Sequence, residues 1–380
     1  MQLVVRASAH LLRVTALLLA LVVAASCAPA LQGGATDRPS SSIVARVQYW
    51  KNAQSVEYFM ESARLAGVST VHLITKQDED DTIPSGTAFY QSTIAPVWRG
   101  ADSWDPLRVA VEEAHKRGIK IYAWMPQFHD QVAARAHPEW EMQVAKGGVA
   151  IKFSETSSSW FVNPIDPEVR AYERSLVEEV LANYEVDGID LDWVRYDNQN
   201  MDVGPVSRAA AEAEIGLDPL TLNFDAGLSD PDVVRWQVWR SAIIAEHVAS
   251  IRASLNQLRP AAHLAAFVLP QSFWEVGQNL ALFANSLDEV EPMCYWRDWG
   301  YPPSWVVADC LQTVDARIAK AHAKTVVIPT IGADEPADET ATVLADLKRV
   351  RPNLAGIAWF SYDAWSRAKM SEATALLAGY

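Results

Sequence analysis

Short hydrophobic segments alternate along this chain with longer segments in which apolar residues recur every three to four positions. The short segments are typical of buried parallel strands, and the longer ones are typical of amphipathic helices that cover such strands. The pattern predicts eight strands, at residues 44–50, 70–75, 119–125, 184–196, 263–269, 290–296, 325–331 and 355–360. It predicts eight helices between and after them, at residues 56–66, 106–117, 167–184, 233–258, 279–287, 304–321, 340–350 and 371–377.

Eight strand–helix pairs in strict alternation predict an α/β fold, a single (β/α)8 TIM barrel that occupies residues 43–380. The chain length also suits two domains, but barrels of this size commonly form one. Long loops are expected after strands two, three and four, among them residues 76–104 and 197–230. All three loops belong to the rim at the C-terminal ends of the strands, where barrel enzymes carry their reactive groups.

The predicted fourth strand, YEVDGIDLDWVRY at residues 184–196, carries acids in regular alternation with apolar residues. Successive side chains of a strand point to opposite faces, so Asp190, Asp192 and Val194 share the face expected inside the barrel. The outer face would carry Ile189, Leu191 and Trp193. Two carboxylates two positions apart lie roughly 6–7 Å apart at Cα. At that distance, the charge of one acid raises the pKa of the other, as general-acid chemistry requires.

The N-terminus predicts an export signal at residues 1–26. Arg6 and Arg13 precede an apolar run, residues 14–25, that is too short for an ordinary transmembrane helix. The run ends in Ala-Ala-Ser before Cys27, which resembles a lipoprotein signal and would make Cys27 the lipid-bearing first residue of the mature protein. Plain secretion with an incidental cysteine is the alternative. Residues 27–42, rich in small residues and proline, would form a flexible tether.

The charge of the exported protein restricts the classes of molecule that it is expected to bind. Removal of residues 1–26 takes away two arginines and no acid, which moves the formal charge from −15 to −17. Such a surface repels phosphate backbones and excludes nucleic acid as an expected partner. Cys294 and Cys310 then remain as the only cysteines of the folded part. We expect two free buried thiols rather than a disulfide, and no cysteine–histidine spacing predicts a metal site.

Several motifs between residues 43 and 365 follow one another in a recognisable order. They are AFYQS at 88–92, DPL at 105–107, EEAHKRG at 112–118, HPEW at 137–140, DGI at 187–189, LDWVRY at 191–196 and PMCYW at 292–296. Together they resemble the family-10-like bacterial glycosyl hydrolases, which have a histidine where this chain has Asp190. The resemblance implies an envelope or secreted glycosidase on a (β/α)8 barrel that acts on peptidoglycan glycan strands or an exopolysaccharide.

The same strand also resembles a second family. DGIDLDW at residues 187–193 is similar to the family 18 chitinase signature D-G-x-D-x-D-x-E. The closing glutamate of that signature is the proton donor, and this chain has Val194 there, which carries no proton to donate. The substitution leaves open an alternative function, a non-catalytic polysaccharide-binding barrel related to chitinase-like lectins.

Hydrolysis of a glycosidic bond requires an acid for the leaving oxygen and a carboxylate that acts as nucleophile or base. Asp192, near the C-terminal end of the fourth strand, is the first candidate for one of these roles. Asp190, one layer deeper, is expected to tune or orient Asp192. The second carboxylate is predicted to be Glu275, after strand five, or Asp298, after strand six, since aromatic neighbours raise a carboxyl pKa. The acidic run at residues 78–81 is interpreted as a solvated loop.

Aromatic residues at strand ends are candidates for contact with sugar rings, because a flat apolar face with one polar group suits a pyranose. These candidates are Trp124, Tyr295, Trp296 and Trp359. Arg195 and Tyr196 are predicted to hold a carboxyl or hydroxyl group of the substrate. We therefore expect a monomer that binds a polysaccharide, attaches to the membrane through a lipid on Cys27, and requires no cofactor or metal.

Overall fold

The computed structural model describes residues 39–270, 274–360 and 365–380. The predicted signal at residues 1–26, Cys27 and most of the tether lie outside the described residues. None of the described helices combines the length and the apolar composition that crossing a bilayer requires.

The described chain alternates strands and helices as the hydrophobic pattern predicts. The strands are β1 Ser40–Ala45, β2 Thr70–Ile74, β3 Lys120–Pro126, β4 Gln143–Lys146, β5 Val149–Lys152, β6 Gly188–Asp192, β7 His263–Val268, β8 Glu289–Pro292, β9 Val326–Val327, β10 Thr330–Gly332 and β11 Gly356–Phe360. The helices are α1 Ala53–Ala66, α2 Pro106–His115, α3 Gln131–Ala136, α4 Pro167–Asn183, α5 Pro205–Ile215, α6 Pro231–Leu258, α7 Leu280–Phe283, α8 Leu311–Ala321, α9 Ala337–Val350 and α10 Arg367–Leu376.

Nine of the strands form one parallel sheet, in the order β10-β11-β1-β2-β3-β6-β7-β8-β9. The short strands β9 and β10 follow each other in the chain, and together they occupy the place of the predicted seventh strand. Thr330 of β10 bridges to Met293, just after β8, and the Cys294 N–H donates to the Thr330 carbonyl at 2.9 Å. This bridge closes the sheet between β8 and β10, so the predicted eight-membered barrel is confirmed.

The first strand lies four residues earlier than the hydrophobic pattern predicts, and residues 44–50 are mostly outside it. Ser40 and Ser42 begin the strand, and their hydroxyls donate to carbonyls of Ala355 and Ile357 next to and within β11. Serines that bond across the sheet leave no hydrophobic signature, which is why the predicted tether reached too far, to residue 42. The loop after β3 also contains α3 and the β4–β5 hairpin, which the pattern did not predict.

Three helices begin with the same Asp-Pro pair, at Asp105, Asp166 and Asp230. In each case the aspartate side chain accepts a hydrogen bond from a backbone N–H of the first turn, and proline occupies the first helical position. These starts fix where α2, α4 and α6 begin, and hence how each helix returns over the barrel.

Cys294 and Cys310 form a disulfide, so the expectation of two free thiols is wrong. Cys294 lies just after β8, and Cys310 ends the π-helical turn Val306–Cys310 that precedes α8. The intervening segment returns to the barrel wall and places the two Cα atoms 6.1 Å apart. A sequence separation of 16 residues does not by itself reveal that return.

Reduction of this disulfide is expected to lower the free energy of unfolding by about 2–3 kcal/mol, because a closed loop of that length restricts the unfolded chain. Urea unfolding of the wild type with and without reductant measures the change. The double variant Cys294→Ser/Cys310→Ser serves as control, since its midpoint must not respond to reductant. An unchanged wild-type midpoint under full reduction contradicts the prediction.

Candidate active site

A cavity of about 450 Å³ opens at the C-terminal ends of the barrel strands. Its lining residues come from the ends of β6, β7 and β11 and from the segments that follow β2, β6, β7 and β8. They are Asp78, Glu79, Asp192, Trp193, Arg195, Phe267, Leu269, Met293, Tyr295, Asp298, Trp299 and Phe360. Acids and aromatic rings therefore share one concave surface, in the place where the barrel topology predicts a site.

Asp192 ends β6 at the floor of this cavity, with 9% of its surface exposed. One of its carboxyl oxygens accepts a hydrogen bond from Trp124 Nε1 at 3.0 Å, and the other accepts from the Trp193 backbone N–H at 2.7 Å. Burial, reinforced by the negative charge of Asp78, raises the pKa of Asp192 to about 7. Its carboxyl group can therefore hold a proton near neutral pH, which an ordinary aspartate cannot do.

Asp78 is fixed beside Asp192 by an arginine that enters from the first strand. Arg46 donates two hydrogen bonds to the Asp78 carboxylate, at 2.6 and 2.9 Å, and lies over the Trp124 ring at 5.1 Å. Both members of this pair are buried. Asp80, two residues on, is engaged as well, because it accepts from His129 at 2.8 Å. The interpretation of residues 78–81 as a solvated loop is therefore wrong for Asp78 and Asp80.

Two further acids reach the cavity from opposite sides of the barrel. Glu79 follows β2 and Asp298 follows β8, which are diametrically opposed in the order of the eight barrel positions. Glu79 is half-exposed, and its partial burial together with the neighbouring Asp78 raises its pKa. Asp298 is exposed to solvent. The arrangement sets a solvent-facing carboxylate across the cavity mouth from the acidic pair on the β2 side.

The strand alternation ends at Trp193, whose φ of 49° lies in the left-handed region that bulky residues rarely adopt. Because of this backbone turn, Trp193 lines the cavity instead of pointing outward as the strand pattern predicts. Val194 is fully buried and lies outside the cavity lining. The chitinase proton-donor position therefore does not reach this cavity, and the chitinase-like resemblance is not confirmed.

Arg195 lines the cavity beside Trp193. Its guanidinium lies 4.0 Å from the centre of the Trp193 ring, donates to the Tyr196 carbonyl at 3.1 Å, and approaches Asp197 at 3.6 Å. Tyr295, another predicted contact residue, stacks on Phe360 with ring centres 5.4 Å apart. Of the predicted site residues, the structure brings Asp192, Asp298, Arg195 and Tyr295 together in one cavity.

Trp124 packs behind the wall of this cavity and does not line it. It is fully buried, its indole N–H is bonded to Asp192, and its ring contacts the rings of Phe267 and Phe360, both of which line the cavity. The predicted sugar-contacting face of Trp124 is therefore covered by protein. Its position suits the orientation of the Asp192 carboxyl group.

Six predicted site residues lie outside the cavity lining: Trp124, Asp190, Tyr196, Glu275, Trp296 and Trp359. Trp296 and Trp359 are buried on the outer face, where their indole N–H groups bond Glu339 and Ser41, respectively. Their neighbours Tyr295 and Phe360 point inward, because adjacent side chains near a strand end take opposite faces. The predicted stacking role of Trp296 and Trp359 is thus not supported. Tyr196 and Glu275 lie on the β7 side of the site.

Tyr196 is fully buried beneath the guanidinium of Arg240, whose centre lies 4.2 Å from the ring. Glu275 belongs to the turn Trp274–Val276, and its backbone carbonyl accepts a hydrogen bond from Arg240. Neither residue is among the described residues that line the cavity. Both residues were predicted as site residues because they follow a strand end in the sequence. In the structure, the segments that carry them turn toward α6.

Asp190 lies one layer below Asp192 and contacts His72 instead of Asp192. Its carboxylate is hydrogen-bonded to His72 Nδ1 at 2.8 Å. On the other side of the imidazole ring, His72 Nε2 lies 3.6 Å from the Glu291 carboxylate. All three side chains are buried, and burial and the Asp190 charge raise the pKa of Glu291 well above its usual range. In the described part of the chain, this is the one group of three whose geometry could hold a metal ion. It lies beneath the cavity, not in it.

A family model described as glycosyl hydrolase-like 10 matches residues 42–335. An S-layer-related protein of Niallia circulans is 25% identical over 244 residues, which make up 57% of this chain and 15% of that protein. Glycosyl hydrolase DigH of Escherichia coli K12 is 31% identical over 142 residues, 33% of this chain and 30% of that protein. The chain thus spans less than a third of the length of these curated relatives.

Among solved structures, the glycoside hydrolase domain of PgaB (BpsB) from Bordetella bronchiseptica resembles this barrel with a TM-score of 0.66. The likeness covers 89% of this chain and 98% of that domain at 16% identity, and it shows a shared fold. The family model, in contrast, extends over most of the sequence and includes β6 and the rim segments that carry Asp78, Asp192 and Asp298. This chain belongs to the glycosyl hydrolase-like 10 family.

Proposed function

We propose that this protein is an exported glycoside hydrolase that cleaves a bacterial envelope or extracellular polysaccharide, such as peptidoglycan glycan strands or an exopolysaccharide. One observation carries the proposal. A buried carboxyl group with a pKa of about 7, that of Asp192, lies at the floor of an aromatic cavity that also holds solvent-facing acids. Such pairs of differently placed carboxyl groups are the machinery of glycosidic bond hydrolysis.

In the proposed mechanism Asp192 is the general acid. Its proton passes to the glycosidic oxygen as the bond to the anomeric carbon breaks, and the departing sugar leaves as an alcohol. The hydrogen bond from Trp124 and the backbone N–H of Trp193 stabilise the carboxylate that remains. Burial keeps Asp192 protonated beforehand, and the charge of Asp78 adds to the effect by opposing ionisation of Asp192.

Asp298 is the proposed second carboxylate. It lines the same cavity two strand positions from Asp192 and is exposed, so it can meet the anomeric carbon directly or through a water molecule. Asp78 is less suited to that task, because both of its oxygens are engaged by Arg46. Trp193, Tyr295 and Trp299 supply aromatic faces on which sugar rings can lie.

Export is supported by three independent features. The N-terminus has the signal-like pattern that ends at Cys27, and the Cys294–Cys310 disulfide is typical of proteins in oxidising compartments. A relative carries an S-layer-related name. We propose a lipid on Cys27 as the membrane attachment, with plain secretion as the alternative.

The pH dependence of hydrolysis tests the assignment of Asp192. An acid with a pKa of about 7 is protonated below that pH, so kcat/KM for glycan cleavage is expected to fall about tenfold per pH unit above pH 7. The measurement is the release of reducing ends from peptidoglycan glycan strands and from a purified exopolysaccharide between pH 5 and 9. Activity that increases steadily from pH 7 to 9 would contradict Asp192 as the acid.

The same assay separates hydrolysis from the non-catalytic alternative. A polysaccharide-binding barrel would remain bound to insoluble glycan and release no reducing ends at any pH, even at high protein concentration. That result would replace the proposed function with carbohydrate binding.

A further inference from the structure

A second groove, of about 490 Å³, lies outside the catalytic cavity at the C-terminal end of β1. It is bounded by the turn Val47–Tyr49, the first half of α1 and Trp365. Its lining residues are Ala45, Arg46, Tyr49, Trp50, Lys51, Asn52, Gln54, Ser55, Tyr58, Phe59, Ser62, Trp365 and Met370. The groove is as large as the catalytic cavity, and nothing in the proposed mechanism uses it.

Five of the thirteen described lining residues of the groove are aromatic, and two of these face solvent. Tyr58 is 72% exposed and Tyr49 is 47% exposed. Beneath them Trp50 and Phe59 are buried in an edge-to-face pair with ring centres 5.1 Å apart, which gives the groove a fixed floor. Single exposed aromatic residues are ordinary, but a concave cluster with a rigid base is typical of a ligand groove.

The polar groups of the groove are neutral or positive. Among its described lining residues none is Asp or Glu, although the chain as a whole has a formal charge of −15. Asn52, Gln54 and Ser55 supply amide and hydroxyl groups, and Lys51 supplies an exposed ammonium group. Rings for stacking together with uncharged hydrogen-bonding groups suit sugars, and the charge favours neutral or anionic ones over cationic ones.

The groove adjoins the catalytic cavity at a single buried ion pair. Arg46 lines the groove, and its guanidinium binds Asp78, which lines the cavity. The two concave surfaces therefore meet on either side of this pair. A polymer bound in the cavity therefore has a second groove with aromatic lining across this pair.

We propose that this groove is a distal subsite for the same polysaccharide chain, and that it holds neutral or anionic sugar residues away from the bond that is cleaved. The proposal rests on the proposed function and deepens it, because it makes the substrate a polymer rather than a short oligosaccharide. A subsite of this kind adds affinity for long chains and contributes nothing to a substrate that occupies the cavity alone.

The test compares a long and a short substrate of the same sugar. For the double variant Tyr49→Ala/Tyr58→Ala, kcat/KM on peptidoglycan glycan strands is expected to fall about tenfold, with little change on a tetrasaccharide of the same strand. Tyr58→Phe keeps the ring and should retain activity on the polymer. Leu65→Ala, a half-exposed position on the same helix but outside the groove, is the matched control.

Equal activity of the double variant and the wild type on the polymer would overturn the proposal. That result is expected if another part of this chain or a second copy of it fills the groove. An equal loss on both substrates would also overturn it, because the effect would then lie in the cavity.

Binding separates this proposal from the proposed function. In the Asp192→Asn background, the double variant should no longer co-sediment with insoluble glycan strands. Absence of cleavage by the wild type, with retention that still depends on Tyr49 and Tyr58, would refute hydrolysis and leave the subsite intact.

Discussion

Replacement of Asp192 by asparagine is expected to lower kcat for glycan cleavage by about 10²–10⁴-fold, because the amide cannot donate the proton that the leaving oxygen requires. Asparagine has nearly the same size and keeps an oxygen that can accept from Trp124 or from the Trp193 N–H. The fold should therefore persist. Release of reducing ends at pH 6, where the wild-type carboxyl group is protonated, gives the cleanest comparison.

The same substitution should stabilise the protein at alkaline pH. The folded pKa of Asp192 is about 7 and its ordinary value is 3.8, so ionisation favours the unfolded chain. This penalty is absent below about pH 4, grows as the pH rises to about 7, and is constant above that. The pKa difference corresponds to about 4 kcal/mol at most. Asparagine does not ionise, so the free energy of unfolding of the variant relative to the wild type should rise by up to about 4 kcal/mol between pH 4 and pH 8.

Asp187→Asn is the matched control for both measurements. Asp187 belongs to the same segment but lies at the opposite end of the barrel, where it accepts hydrogen bonds from the Ile121 N–H and from His115. It should leave the rate and the alkaline pH limb unchanged. Wild-type turnover by Asp192→Asn would remove Asp192 from the mechanism, and an unfolded variant would contradict the stability argument.

The barrel was predictable from sequence because its determinants are local. Alternating apolar runs define the parallel strands, the Asp-Pro pairs at Asp105 and Asp166 define helix starts, and Gly67 ends α1 in the left-handed conformation. Asp190 and Asp192 lie inside the barrel as the period of two predicts, while Ile189 and Leu191 pack outward. Errors in the strands occur where polar residues begin them, as at Ser40.

The site was only partly predictable because its members meet through the closure of the barrel. Asp78 looks like part of a solvated acidic run until Arg46, 32 residues earlier in the chain, is placed beside it. The sequence did place Asp78 shortly after β2, on the rim at the C-terminal ends of the strands. The same kind of position, after β8, was the reason for predicting Asp298 as a site residue. Trp193 was placed on the wrong face because its positive φ breaks an alternation that holds up to Asp192.

A buried charge network holds the β2 loop in place near the site. Lys76, two residues before Asp78, donates to Glu173 of α4 at 2.6 Å and to the Gln127 carbonyl at 3.0 Å, and its ammonium lies 2.8 Å from Asp130. Lys76, Asp130 and Glu173 are all buried. Burial raises the pKa of Glu173 to about 8, so at neutral pH the charged pair is mainly Lys76 with Asp130.

Lys76→Met is expected to reduce the free energy of unfolding by about 3–5 kcal/mol, because it leaves the buried Asp130 charge without its partner. Glu173→Gln should cost much less at pH 7, since Glu173 is already largely protonated there. Lys116→Met is the matched control. Lys116 also pairs with an acid, Glu113 at 2.5 Å, but its side chain is 63% exposed, and solvent-exposed ion pairs add little to stability. Urea unfolding at pH 7 measures all three, and equal losses for Lys76→Met and Lys116→Met would show that the buried network does not hold the β2 loop.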